Sequence, residues 1–153
     1  MLNIGDTAPS FSLDSNLGHI DSQSLAGQRD VLFFYPKDDT PGCTAEACSF
    51  RDQNAAFAAA GVRVFGVSIL DARSKTKFAQ KNALNYPLLA DAAHTLAEAY
   101  GVWIEKSMYG KKYMGIQRST FVVSPDGRIE HVWEKVKPED HADEVLRSLA
   151  SDG

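Results

Sequence analysis

Two cysteines stand five residues apart in this chain, Cys43 and Cys48, inside the stretch Phe34-Tyr35-Pro36-Lys37-Asp38-Asp39-Thr40-Pro41-Gly42-Cys43-Thr44-Ala45-Glu46-Ala47-Cys48. Thr40 directly before Pro41 has the pattern of a helix N-cap followed by proline at the first helical position, which puts Cys43 third in the first turn. A thiol there faces unpaired backbone N–H groups and the positive end of the helix dipole, and both favour thiolate over thiol. Position alone makes Cys43 a candidate nucleophile. Without that context, a cysteine in a helix behind a strand is a small buried hydrophobe.

The spacing adds a constraint. Five residues along a regular helix amount to about 140° around the axis and about 7.5 Å along it, so the two Cα atoms lie about 8 to 9 Å apart. A disulfide needs about 4.4 to 6.8 Å. If these cysteines ever bond to one another, the helix between them must unwind, which makes the pair a switch; the plain alternative is two unrelated core thiols. Four intervening residues separate this pattern from the two-residue spacing of a thioredoxin-type dithiol. A zinc site needs further ligands from His19, His94, His131 or His141, and none of these sits at ligand spacing to another candidate. The same scatter of histidines argues against a cysteine protease.

The elements that must position the pair follow from periodicity. Residues 31–35, Val-Leu-Phe-Phe-Tyr, form a continuous apolar run stopped by Pro36, the pattern of a strand buried on both faces. Residues 41–60 are Ala-rich and close at Gly61, a helix of about five turns. A β-hairpin with its turn at Asn16-Leu17-Gly18 is expected over 11–24. A strand over 62–69, a helix over 72–82 and a short strand over 86–90 follow, then a helix over 91–100 capped by Asp91 and ended by Gly101. The Gly-punctuated basic stretch 110–118 reads as a loop into a strand at 119–124. Pro125-Asp126-Gly127 is a turn, 128–136 the second arm of a hairpin, and Pro138 opens a last helix with Glu139 and Asp140 in its first turn. Strands alternating with helices predict an α/β fold, a central mixed β-sheet flanked by helices with an N-terminal β-hairpin.

Composition sets the outer bounds. The chain has 153 residues, 44% hydrophobic and 24% charged, enough for one domain over 1–153 with its own core. Sixteen Lys and Arg against twenty Asp and Glu give a net charge of -4, with no footprint for nucleic acid. No apolar run reaches the roughly 18 residues of a membrane span, and the N-terminus lacks the pattern of a signal peptide, so a cytoplasmic protein is expected. A reducing cytosol does not keep a purely structural disulfide.

The pattern Pro-x-x-x-Thr-x-x-Cys, here Pro36, Thr40 and Cys43, resembles the active-site signature of the peroxiredoxins. Its extension Gly42-Cys43-Thr44-x-Glu46-x-Cys48 is similar to the bacterioferritin comigratory protein, or peroxiredoxin Q, branch. The likeness runs from Gly5-Asp6-x-Ala8-Pro9 through Tyr109-Gly110-Lys111-Lys112-Tyr113-x-Gly115-Ile116-x-Arg118-Ser119-Thr120-Phe121 to the terminal helix, nearly the whole chain. It implies a thioredoxin fold and a thiol-dependent peroxidase for hydrogen peroxide and organic hydroperoxides, serving antioxidant defence. Cys43 is then the peroxidatic cysteine, oxidised to sulfenic acid, and Cys48 the resolving cysteine that forms an intramolecular disulfide with it. By the same resemblance Thr40 hydrogen-bonds the thiolate and the peroxide oxygen, Pro36 keeps water from the sulfur, and Arg118 stabilises the thiolate and the leaving oxygen. Glu46 is a partner of that arginine. Asp38 and Asp39 read as a solvated loop, since carboxylates near the sulfur oppose its ionisation. Thioredoxin, or alternatively glutaredoxin, is the implied reductant. No metal, flavin or haem is implied, and an intrachain resolving cysteine makes a monomer the expectation. One departure lies at Val67-Ser68-Ile69-Leu70-Asp71, where many relatives carry Pro or a small polar residue after the serine; it touches the substrate rim or reductant docking rather than the cysteines.

Two other functions use the same residues. In a peroxide-responsive redox sensor, helix melting on oxidation signals to a partner, and oxidation is slow. A disulfide oxidoreductase acting on protein thiols needs an exposed, readily exchanging dithiol.

Overall fold

The computed structural model describes residues 1–151. Its first elements are the hairpin β1 (Ser12–Ser15) and β2 (Gly18–Asp21), a 3₁₀ turn at Ser22–Leu25, the strand β3 (Arg29–Phe34), the helix α1 (Pro41–Ala59) and the strand β4 (Val62–Ser68). Then come α2 (Ala72–Lys81), β5 (Leu88–Ala90), α3 (Thr95–Tyr100), β6 (Trp103–Met108), β7 (Lys111–Ile116), β8 (Ser119–Val123), β9 (Ile129–Trp133) and α4 (His141–Ser151). Seven strands form one mixed sheet in the order β2-β1-β5-β4-β3-β8-β9. The neighbours β3, β4 and β5 run parallel, and β8 returns antiparallel to β3. The N-terminal hairpin joins this sheet through β1 against β5.

The apolar run of β3 is buried on both faces because the sheet is covered on both. Val31, Phe33 and Tyr35 face a core shared with Phe50 and Phe57 of α1, Phe78 of α2 and Val145 of α4. Leu32 and Phe34 face the other core, with Leu96 and Tyr100 of α3 and Phe121 of β8. Phe33 stacks on Phe50 at 4.5 Å and locks α1 to the sheet. Gly66 of β4 permits that packing, since a Cβ there would lie 2.9 Å from Phe33 and 2.7 Å from Leu88.

Three sequence expectations are corrected. The stretch read as a loop over 110–118 contains β7, which pairs with β6 as a two-stranded ribbon apart from the main sheet. Tyr109 and Gly110 join the two strands, both with positive φ, as a tight hairpin turn of the primed kind requires. The ribbon shows no clean alternation because residues 111–114 are all exposed. The last helix starts at His141 rather than Pro138, because Asp140 takes a left-handed φ of 58° and breaks the helix before it. Helix α3 starts at Thr95 rather than Asp91, yet the buried Asp91 carboxylate still accepts the backbone N–H groups of Leu96 and Ala97 at 3.1 and 2.8 Å. Asp91 caps the helix from four residues upstream.

Candidate active site

The strand β3 ends at Phe34, and a five-residue loop, 36–40, delivers the chain to the first turn of α1 on top of the sheet. Pro41 and Gly42 open the helix, so Cys43 occupies its third position, 1% exposed. Thr40 is the N-cap residue by backbone, with its carbonyl accepting the N–H of Thr44 at 2.8 Å. Its side chain does not cap the helix, contrary to expectation; the hydroxyl donates to the Lys37 carbonyl at 3.0 Å rather than to Cys43 Sγ. That leaves the Thr40 oxygen able to accept. Pro36 is half-buried at the start of the same loop.

Arg118 arrives from the junction between β7 and β8, 75 residues on. The backbone N–H of Gln117 donates to Val102, and that of Val136 donates to the Arg118 carbonyl, so the arginine is held on both sides. Its Nη2 donates to Cys43 Sγ at 3.1 Å and its Nη1 to Glu46 Oε1 at 2.7 Å. The planar fork spans two acceptors one helical turn apart, a geometry that lysine cannot reproduce. Gly42 makes room for it, since a Cβ there would sit 3.3 Å from Arg118 Nη2. A permanent positive charge thus abuts the sulfur at the positive end of a helix, and both are complementary to a thiolate.

Glu46 is wholly buried, and its Oε2 has no hydrogen-bond partner. Burial pushes its carboxyl up from the ordinary 4.5 to about 7, against the opposing pull of Arg118. The folded state therefore holds this proton where the unfolded chain releases it. The resulting stabilisation is complete below about pH 4.5 and is lost as the pH rises through about 7. Urea unfolding at pH 5 and pH 8 will show the native chain losing stability across that interval, while Glu46→Gln lacks this component; parallel losses in the two proteins contradict the assignment. Arg118 is raised on balance, because the negative charges of Glu46 and Cys43 outweigh the desolvation that opposes its own.

Cys48 lies further along the same unbroken helix and is half-exposed. Both cysteines are free thiols. Beside Cys48 the surface hollows to about 260 Å³ between α1 and the start of α4, lined by Ser49, Asp52, Asp140 and Asp143 among others. An intact helix keeps the two sulfurs out of bonding range, as the spacing argument requires.

Two sets of groups escaped the sequence reading. Lys106 of β6 is half-buried near the site, its ammonium disfavoured first by burial and then by Arg118, with Cys43 opposing. The second set overturns the expectation for Asp38, which is 5% exposed rather than solvated. Its carboxylate accepts from Tyr35 Oη at 2.5 Å, Ser74 Oγ at 2.7 Å and Lys75 Nζ at 3.0 and 3.1 Å. Lys75, itself 0% exposed, also donates to Ser68 and lies 5.0 Å over the Tyr35 ring. Asp39 is exposed as expected.

Among the described residues no group of three His, Cys, Asp or Glu side chains is arranged to hold a metal ion. None of their helices is long and apolar enough to cross a membrane.

Comparison with known proteins gives the site a context. A sequence model of the AhpC/TSA family matches residues 4–132. The chain is 44% identical over 149 residues to the peroxiredoxin Bcp of Bacillus subtilis, covering 97% of this chain and 95% of that one. The peroxiredoxin Bcp of Escherichia coli is 44% identical, with 97% and 96% covered. Among solved structures, a mutant of Xylella fastidiosa PrxQ superposes with a TM-score of 0.94 at 35% identity, covering 99% of this chain and 98% of that one. The bacterioferritin comigratory protein of Xanthomonas campestris, whose structures bear on its alkyl peroxide reduction activity, superposes at 0.88 with 39% identity and 93% and 91% covered.

Proposed function

The chain belongs to the AhpC/TSA family as a peroxiredoxin of the Bcp or peroxiredoxin Q kind, a thiol peroxidase on a thioredoxin-like fold, and from that premise we propose how its residues divide the reaction. Cys43 is the peroxidatic cysteine. Its thiolate attacks the terminal oxygen of ROOH, an S–O bond forming as the O–O bond breaks; Cys43 becomes sulfenic acid, and the departing RO⁻ takes a proton to become ROH. The observation that supports this most is the Arg118 fork, at 3.1 Å from Cys43 Sγ and 2.7 Å from Glu46 Oε1. It neutralises the attacking sulfur and stands where charge develops on the departing oxygen. Thr40, with its hydroxyl proton engaged by Lys37, offers an oxygen that accepts the proton of an incoming hydroperoxide. Pro36 closes the loop side against water.

Cys48 is the resolving cysteine. Its thiol attacks the sulfenic sulfur, giving the Cys43–Cys48 disulfide and releasing water. Because both residues lie in one continuous helix, residues 41–48 unwind for this step. Helix ends open at low free energy, so the motion is accessible. A dithiol then reduces the disulfide, with its own two thiols becoming a disulfide, and the helix re-forms. Thioredoxin is the proposed reductant and glutaredoxin the alternative; the half-exposed Cys48 is where exchange begins. The protein works as a single domain and a monomer in the cytoplasm, since resolution needs no second subunit.

Replacing Cys48 by serine tests the division of labour. Cys48→Ser will consume one equivalent of peroxide as fast as the native protein and then stop, with no turnover by thioredoxin and its reductase. Continued thioredoxin-driven turnover in Cys48→Ser contradicts the resolving role.

A further inference from the structure

We propose that Asp38 and Lys75 form a buried clamp through which α2 holds the loop 36–40 in place, and thereby positions Cys43 on Arg118. Taking Cys43 as the peroxidatic residue, this inference rests on the function proposed above.

The clamp gathers groups from four places. Asp38 lies at the middle of the loop, Tyr35 at its entrance, Ser68 at the end of β4, and Ser74 and Lys75 in the first turn of α2. Nearly two turns further along α2, Lys81 reaches Asp39 at 2.9 Å. Asp39 takes a left-handed φ of 60°, a conformation that aspartate adopts more readily than most residues. Two residues of the loop, Asp38 and Asp39, thus bond to the same helix, through Ser74, Lys75 and Lys81. A buried lysine and aspartate are unusual partners, and burial lowers Lys75 towards its neutral form despite Asp38. A fold that only needed packing here would be served as well by apolar side chains.

The position of the pair accounts for it. The loop is short, and Cys43 follows Asp38 by five residues, so a displaced carboxylate carries the first turn of α1 off Arg118. The same turn is the one that unwinds when Cys48 attacks. The clamp therefore weights the balance between the ordered helix, in which Cys43 meets peroxide, and the unwound helix, in which it meets Cys48. A second peroxide molecule oxidises the sulfenic acid to sulfinic acid, with release of ROH, only while the helix stays ordered. Ser68, in the segment where this sequence departs from many relatives, belongs to the same network and so reaches the cysteine chemistry.

Lys75→Met leaves Asp38 buried without its counter-charge, so the loop is driven out. At a temperature where the variant is folded by circular dichroism, the rate constant of Cys43 with hydrogen peroxide is expected to fall about tenfold or more. The peroxide concentration that drives half of Cys43 to sulfinic acid rises by a similar factor, and the thiol–disulfide equilibrium against dithiothreitol shifts towards the disulfide. A purely structural lysine lowers the unfolding temperature and moves none of these three. Ser74→Ala removes one bond to Asp38 and no charge, and shifts all three the same way by about twofold to threefold. Unchanged values in a folded Lys75→Met overturn the clamp; if Lys75→Met does not fold, unchanged values in Ser74→Ala overturn it. Cys43→Ser run alongside separates the two claims. Peroxide consumption that survives Cys43→Ser ends the functional reading, whereas consumption that needs Cys43 but ignores Lys75 ends only the clamp.

Discussion

Replacing Cys43 by serine should lower the rate constant with hydrogen peroxide about a thousandfold or more, to the background of an unactivated thiol, because a hydroxyl cannot supply the nucleophile. The change is nearly isosteric at a position 1% exposed, so the fold should survive it. Arg118 keeps Glu46 as a partner after the substitution, at 2.7 Å. Cys48 remains, half-exposed in the middle of α1 and without the Arg118 contact that Cys43 has, so the residual reaction reports what the second thiol of this chain can do. Stopped-flow or competition measurement at stoichiometric peroxide gives the number without any reductant. A variant that keeps more than about a tenth of the native rate removes Cys43 from its assigned role.

The second large effect belongs to Arg118. Arg118→Met takes the positive charge from the sulfur and from the oxygen that leaves, and a loss of about a hundredfold to a thousandfold in rate is expected, the scale of removing one well-placed donor to a developing oxyanion. The same change strands the Glu46 carboxylate in a site where it is wholly buried, so stability should fall, most of all above pH 7. Those two consequences can be parted. In Arg118→Met with Glu46→Gln, the buried charge is gone and stability should largely return, while the rate stays low. Arg118→Lys should fall between, because a point charge satisfies one of the two acceptors and not both. Return of the rate together with the stability in the double variant would mean that Arg118 acts only by accommodating Glu46.

What could be read from the chain alone, and what could not, follows the range of the interactions. The strand over 31–35 and the helix after Pro41 are written in local composition, and the structure places them at β3 and α1 with Cys43 third in the helix as expected. That the helix must unwind if Cys43 and Cys48 bond follows from helical geometry, whereas the bond itself was implied only by the motif resemblance. Arg118 could not be joined to Cys43 by any local pattern, since the contact crosses 75 residues; only the motif resemblance brought it forward. Asp38 shows the opposite failure. Two adjacent aspartates look like a solvated loop, and the residue that makes one of them a buried group, Lys75, is 37 residues away on another helix. The ribbon of β6 and β7 is not legible in the sequence, because a strand exposed on both faces carries no alternation to read. Pro138, Glu139 and Asp140 have the composition of a helix start, while the left-handed Asp140 delays α4 to His141.

Intact mass with free-thiol counting shows whether Cys43 and Cys48 form a peroxide-driven, reversible disulfide. One equivalent of hydrogen peroxide added to the reduced protein should remove both thiols within seconds and leave a chain about 2 Da lighter, and thioredoxin with its reductase should restore both. A folded, initially reduced sample that keeps both thiols over that time, or gains oxygen at Cys43 without losing Cys48, would show that the pair forms no such disulfide.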